Sequence, residues 1–259
     1  MTTSTLYRLP PALTPREKGL AAALLALALA AWLAPALSPG GWDTLHYVDT
    51  RLLWGLPNGA DVLSNLPFVL MGVWGLAALY TRRRHAAWVQ APAPAGAAWF
   101  FAGLIVTCAG SSWYHLHLDV PHLIGDRAGM ALAFAGVLGI AADQGISARA
   151  GRALVVLTAA AGLLAAWVAR ENLMPWAVVQ FGGMALVLAL ALVRSRPGAL
   201  VIPLGGVIVF YVLAKLAEMG DGVVFELTHH LVSGHTLKHL LAALAAWPVI
   251  RALKTDSIA

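Results

Sequence analysis

Long apolar runs separated by short polar clusters dominate the chain. Eight of them, near 19–38, 61–80, 96–114, 123–142, 152–169, 173–193, 199–219 and 235–252, reach the roughly 20 residues that a helix needs to span a bilayer. The connecting segments are short, so the helices are expected to pack as one domain, with Ala91-Pro-Ala-Pro-Ala-Gly96 as the one linker-like stretch. The pattern predicts an all-α polytopic membrane bundle. Its first run has two readings. Arg16 and Lys18 precede it and Ala34-Pro-Ala-Leu-Ser38 closes it, as in a signal peptide with a small-residue cleavage site. The length of the run and of its polar lead favours a retained helix, giving eight helices rather than seven.

Composition agrees. Hydrophobic residues make up 60% of the chain and charged ones 11%, with a mean hydropathy of +0.76. A soluble domain carries about a quarter charged residues. The net charge of +5 is no sign of a nucleic-acid partner, because the basic residues lie in short loops rather than on one face. Their placement sets orientation instead. With the N-terminus inside, the inner segments hold Arg8, Arg16, Lys18, Arg82, Arg83, Arg84, Arg149, Arg152, Arg194, Arg196, Arg251 and Lys254. The outer loops hold Arg51 and Arg170, and Arg127, Lys215 and Lys238 fall within helices. A bias of 12 to 2 places both termini in the cytoplasm, and the composition suggests a GC-rich bacterial source, hence an inner membrane. Cys108 is the single cysteine. No intramolecular disulfide and no cysteine metal site can form.

Against this apolar background the ionisable residues on the outer side stand out, since such groups are costly at membrane depth and mark functional sites. His235 and His239 are four apart at the start of the last helix, which stacks both rings on one face. Ser111 and His115 share the same spacing at the outer end of the helix near 96–114, and Asp126 follows just beyond Pro121. If the last helix packs beside these two, His115 completes a three-histidine set. Three imidazoles with an open position suit catalytic zinc, which brings the pKa of its water to about 7. A carboxylate such as Asp126 can move that water's proton, and a hydroxyl such as Ser111 can stabilise an oxyanion. The parts fit hydrolysis of an amide or ester. Blander readings stand beside this one. Ser111 can serve helix packing, Asp126 can pair locally with Arg127, and His117 and His122 compete with His115 as ligands. His229 and His230 read as an outer-loop pair, and His46 and His85 as solvated loop residues.

At these residues the chain resembles the alkaline ceramidases, within the superfamily of seven-helix membrane hydrolases and adiponectin/progestin-type receptors. Gly110-Ser-Ser-Trp-Tyr-His115 is similar to the family's Gly-Ser-x-x-[Phe/Tyr]-His, Asp126 stands at the matching distance, and Ser233-Gly-His-Thr-Leu-Lys-His239 resembles the final motif. Ser64-Asn65 and Asp221 match further motif positions, as supporting residues. The resemblance covers about 58–252. It implies a seven-helix domain there, preceded by an N-terminal segment (1–57) with the extra helix or signal peptide and followed by a cytoplasmic tail (253–259). It further implies Zn2+ on His115, His235 and His239, with Asp126 and Ser111 catalytic, and a ceramide-like lipid amide as substrate. Animal members also carry an acidic calcium-binding cluster. Here Trp42, Asp43, Asp49, Asn58 and Asp61 are arranged differently, which argues against Ca2+. Two other functions remain open at this point: a redox protein with histidine-ligated haem, and a receptor-like protein with a structural zinc.

Overall fold

The computed structural model describes residues 12–39, 47–85 and 91–255; Arg8, Trp42, Asp43 and His46 lie outside them. The described chain is all-α. In order the helices are α1 (Pro15–Leu33), α2 (Gly59–Leu63), α3 (Leu66–Arg84), α4 (Ala95–His117), α5 (Val120–Gly145), α6 (Ala148–Val168), α7 (Met174–Ala177), α8 (Gly183–Ala191), α9 (Leu204–Met219), α10 (Asp221–Leu227), α11 (Gly234–Leu244) and α12 (Trp247–Thr255). Several join end to end, so that six rods are long and apolar enough to cross a membrane: Gly59–Arg84, α4, α5, α6, Met174–Ala191 and Gly234–Thr255. The protein is therefore a multi-pass membrane bundle.

The remaining two expected spans, α1 and α9, depart from the sequence reading for visible reasons. The α9 helix has 16 residues, about 24 Å at 1.5 Å per residue, because Pro203 precedes it and Gly220 ends it. The α1 helix has 19 residues but carries Arg16, Glu17 and Lys18 in its first turn. Both ends of its segment are tied to the bundle. Thr14 and Glu17 form a capping box, Glu17 pairs with Arg149 at 2.6 Å and accepts from Ser147 at 2.7 Å, and Arg16 donates to the Gly145 carbonyl at 2.7 Å. At the far side, Leu173 N–H donates to the Leu37 carbonyl at 2.8 Å and Leu37 N–H to Asn172 Oδ1 at 3.0 Å.

A seam of small residues locks α4 to α5. Gly96, Gly103 and Gly110 recur at two-turn intervals, and a β-carbon on each would stand 2.4 Å from Gly136 O, 2.3 Å from Ala133 N and 2.3 Å from Gly125 O respectively. Backbones this close are the usual solution for helices in lipid, where van der Waals contact replaces hydrophobic drive. The seam ends beside Ser111 and Asp126, so it fixes the distance between them. The core behind it holds Phe100, Phe101, Leu104, Leu138 and Ile140.

Candidate metal centre

Three helix starts and one helix end meet at one end of the bundle. The α4 helix closes at Leu118 in the left-handed region (φ 42°), and Asp119 caps α5 by accepting from His122 N–H at 2.8 Å. That bond and a second from the His122 ring hold the Asp119 carboxyl below the usual carboxylate range. The α11 helix begins with Ser233, whose hydroxyl accepts from Thr236 N–H. Gly234 follows because any β-carbon there would stand 2.1 Å from the Ala217 carbonyl. Asp221 then accepts the His235 backbone N–H at 2.7 Å and that of Val48 at 3.3 Å. The Ser-Gly-His sequence is thus a cap, a close approach and a ligand in successive positions.

These ends bring His115, His235 and His239 together. Their ligand atoms all lie within 4.8 Å of one another, and the side chains are 1%, 4% and 2% exposed. His115 Nε2 faces His235 Nε2 at 3.1 Å. His239 Nδ1 is held by Ser64 Oγ at 2.8 Å, and Ser64 Oγ in turn donates to the Asp61 carbonyl at 3.0 Å. A hydrogen bond on one ring nitrogen orients the other toward a metal. His115 Nδ1 is buried without a hydrogen-bond partner. Three buried neutral imidazoles with a built orienting shell fit a nitrogen-preferring divalent ion, and the cluster is a candidate metal site.

Ser111 lies close to the Asp126 carboxyl. Both residues line one cavity with His239 and Lys238, walled by Phe68, Phe100, Leu104, Phe134, Val137 and Val207 among others. It encloses about 760 Å³ of free space, counting the part open to its surroundings. His239 thus belongs both to this cavity and to the cluster with His115 and His235. The Arg127 guanidinium lies over the Trp176 ring at 5.8 Å.

Other expectations sort as follows. Asp221 supports His235 directly. Asn65 is buried and donates to the Asp61 carbonyl at 2.8 Å, whereas its neighbour Ser64 is the one that touches a ligand. His117 and His122 stack on each other, with centroids 4.3 Å apart, outside the cluster. His229 and His230 both sit in the left-handed region past α10 (φ 52° and 63°). His85 is exposed at the end of α3. Of the residues weighed for calcium, Trp42 and Asp43 lie outside the described residues; Arg51 pairs with Asp49 through two contacts of 2.7 and 2.6 Å, and Thr236 donates to Asp61 Oδ1 at 2.7 Å, while Asp61 Oδ2 is buried without a hydrogen-bond partner. Asn58 donates to the His115 carbonyl at 2.8 Å.

Two contributors escaped the sequence reading. Tyr47 packs edge-on against His115 and His235, with centroids 5.0 and 4.4 Å away, and shares a 3.2 Å hydrogen bond with Tyr114. Burial raises the pKa of its phenol, which is therefore a neutral group against the rings. Lys238 reaches His235 Nε2 at 3.3 Å and Glu218 Oε1 at 2.9 Å. One signal for Lys238 was in the sequence: it follows His235 by three and so shares the ligand face.

The geometry bears on both open alternatives. Haem between His115 and His235 requires the two rings on opposite sides of a macrocycle, but His239 lies against both, with centroids 5.2 and 4.7 Å away. A structural zinc is closed by four protein ligands. Among the described residues the cluster comprises three. Compared with known proteins, the chain matches no family model, no curated protein and no solved structure.

Proposed function

We propose that the protein is a zinc-dependent membrane hydrolase that cleaves the amide bond of a ceramide-like lipid into a sphingoid base and a fatty acid. The observation that carries this reading is that Ser111, Asp126 and His239 line one apolar cavity beside the histidine cluster. The motif resemblance to alkaline ceramidases supplies the amide lipid and the choice of zinc. The basic bias adds the setting: an inner membrane, both termini cytoplasmic and the site toward the outer leaflet.

His115, His235 and His239 hold the ion, which when bound activates water and polarises the scissile carbonyl. The rest falls to the chain's own side chains. Apolar tails lie along Phe68, Phe100, Leu104 and Phe134. As water adds to the carbonyl carbon, Asp126 takes its proton. Asp126 then delivers that proton to the leaving nitrogen as the C–N bond breaks. Ser111 is coupled to this transfer. Before it, the Ser111 hydroxyl can donate to the nearby Asp126 carboxylate. Once protonated, Asp126 can donate to Ser111 Oγ, which frees the hydroxyl hydrogen for the oxyanion as its charge develops.

The test is fatty acid release from sphingoid amides by zinc-loaded protein in lipid nanodiscs, read by mass spectrometry. Wild type is expected to release it, and a chelator to stop it. Asp126→Asn is expected to keep its zinc but lose roughly 10²–10⁴ in turnover, the usual loss for a positioned acid–base group. Release that survives chelation, or no release from any sphingoid amide, contradicts the reading.

A further inference from the structure

Lys238 makes a contact that metal binding cannot leave intact. Its ammonium has only hydrogens to offer, so at 3.3 Å from His235 Nε2 it must be the donor and the ring nitrogen the acceptor. The lone pair that accepts this bond is the one that would bind a metal. His115 Nε2, 3.1 Å away, marks the same atom as the one facing the cluster centre. A lysine hydrogen and a metal ion cannot share one lone pair.

The surroundings give the ammonium somewhere to go. Lys238 lines the cavity together with Asp126, and Glu218 holds it from the other side at 2.9 Å. Lys215 sits on the other Glu218 oxygen at 2.5 Å. Two lysines therefore share one glutamate, and Asp126 offers a second carboxylate across the cavity. Residues 235, 238 and 239 lie on one face of α11, so the lysine stem starts beside the ligands and its flexible chain can swing the ammonium between His235 and the carboxylates.

We propose that Lys238 is a displaceable internal cation. It occupies His235 while the cluster is metal-free, leaves when a metal ion enters, and turns along Glu218 toward Asp126. Metal uptake is then an exchange of one cation for another. Its affinity is weakened by the bond that must break, and loading of the site moves an ammonium into the cavity where a lipid would lie. This rests on reading the three histidines as a metal site.

The experiment measures zinc affinity by competition with a chromophoric chelator, using purified protein in detergent. Lys238→Met is expected to bind zinc at least about tenfold more tightly, since hydrogen bonds from charged donors are among the stronger ones. Lys238→Arg stays near wild type. Lys215→Met removes the same charge without touching a histidine and is expected to change affinity by less than about threefold. In the metal-free protein, the ¹⁵N shift of His235 Nε2 moves in Lys238→Met and holds in Lys215→Met, which follows the bond without any metal. Equal zinc affinity in wild type and Lys238→Met overturns the proposal, as does an equal gain from Lys215→Met. If no form takes up zinc, the metal reading itself fails and the exchange falls with it. That outcome is told apart by the wild type alone.

Discussion

Gly110 and Gly125 face each other across the α4–α5 seam, yet alanine should act oppositely at the two. A β-carbon on Gly110 would stand 2.3 Å from the Gly125 carbonyl oxygen and 2.6 Å from its carbon. Carbon–oxygen contacts between helices settle at about 3.3–3.6 Å, so the helices must part by about 1 Å. Overpacking of this kind costs typically about 1–3 kcal/mol. At Gly125 the nearest foreign atom to an added β-carbon is the Gly110 Cα at 3.8 Å, an ordinary contact. Gly125→Ala therefore keeps the gain of up to about 1 kcal/mol in helix propensity. Because Gly110 precedes Ser111 and its obstruction is the residue before Asp126, the 1 Å shift lands on Ser111 and Asp126, the pair proposed to carry the proton transfer. Misplacement on that scale costs on the order of 10²-fold in rate. Unfolding in mixed micelles by increasing SDS, followed by circular dichroism, gives the stabilities, and fatty acid release gives the turnover. Gly110→Ala as stable and active as wild type, or Gly125→Ala equally damaging, refutes the argument that this seam sets the site.

Ser64→Ala removes the hydroxyl that orients His239, and zinc affinity should fall roughly 10–100-fold, as for other orienting partners, by chelator competition; unchanged affinity removes Ser64 from the site. For orientation, Asp119→Cys in a Cys108→Ala background should react with a membrane-impermeant maleimide added to intact cells, and reaction only after cytoplasmic access is opened reverses the topology.

Much of the site was legible because helix periodicity is local. His235 and His239 share a face by spacing alone, and so do Ser111 and His115. The convergence of α4, α5 and α11 was not local; Asp126 entered the set as the carboxylate just beyond Pro121, and the match to a known motif order agreed with it. What the sequence hid depends on contacts between distant segments. Ser64 and Asn65 are adjacent polar residues, and the break between α2 and α3 decides that Ser64 faces His239. Lys238 and Glu218 sit on separate helices, so their ion pair carries no periodic signal, and Tyr47 arrives from a connecting segment. One helix start departs from the reading, at Pro203 before α9; the π-helical turn Val178–Gly182 and the α11–α12 junction lie inside spans that the apolar pattern gives as single runs.

One ion held by His115, His235 and His239 is the centre of the proposed function. Metal analysis of protein purified without added chelator, with His239→Ala alongside, tests this most directly. About one zinc per chain is predicted in the wild type, and none in a His239→Ala variant that retains its helical content. A wild type free of metal even after incubation with zinc, or a His239→Ala variant that holds zinc stoichiometrically, contradicts it.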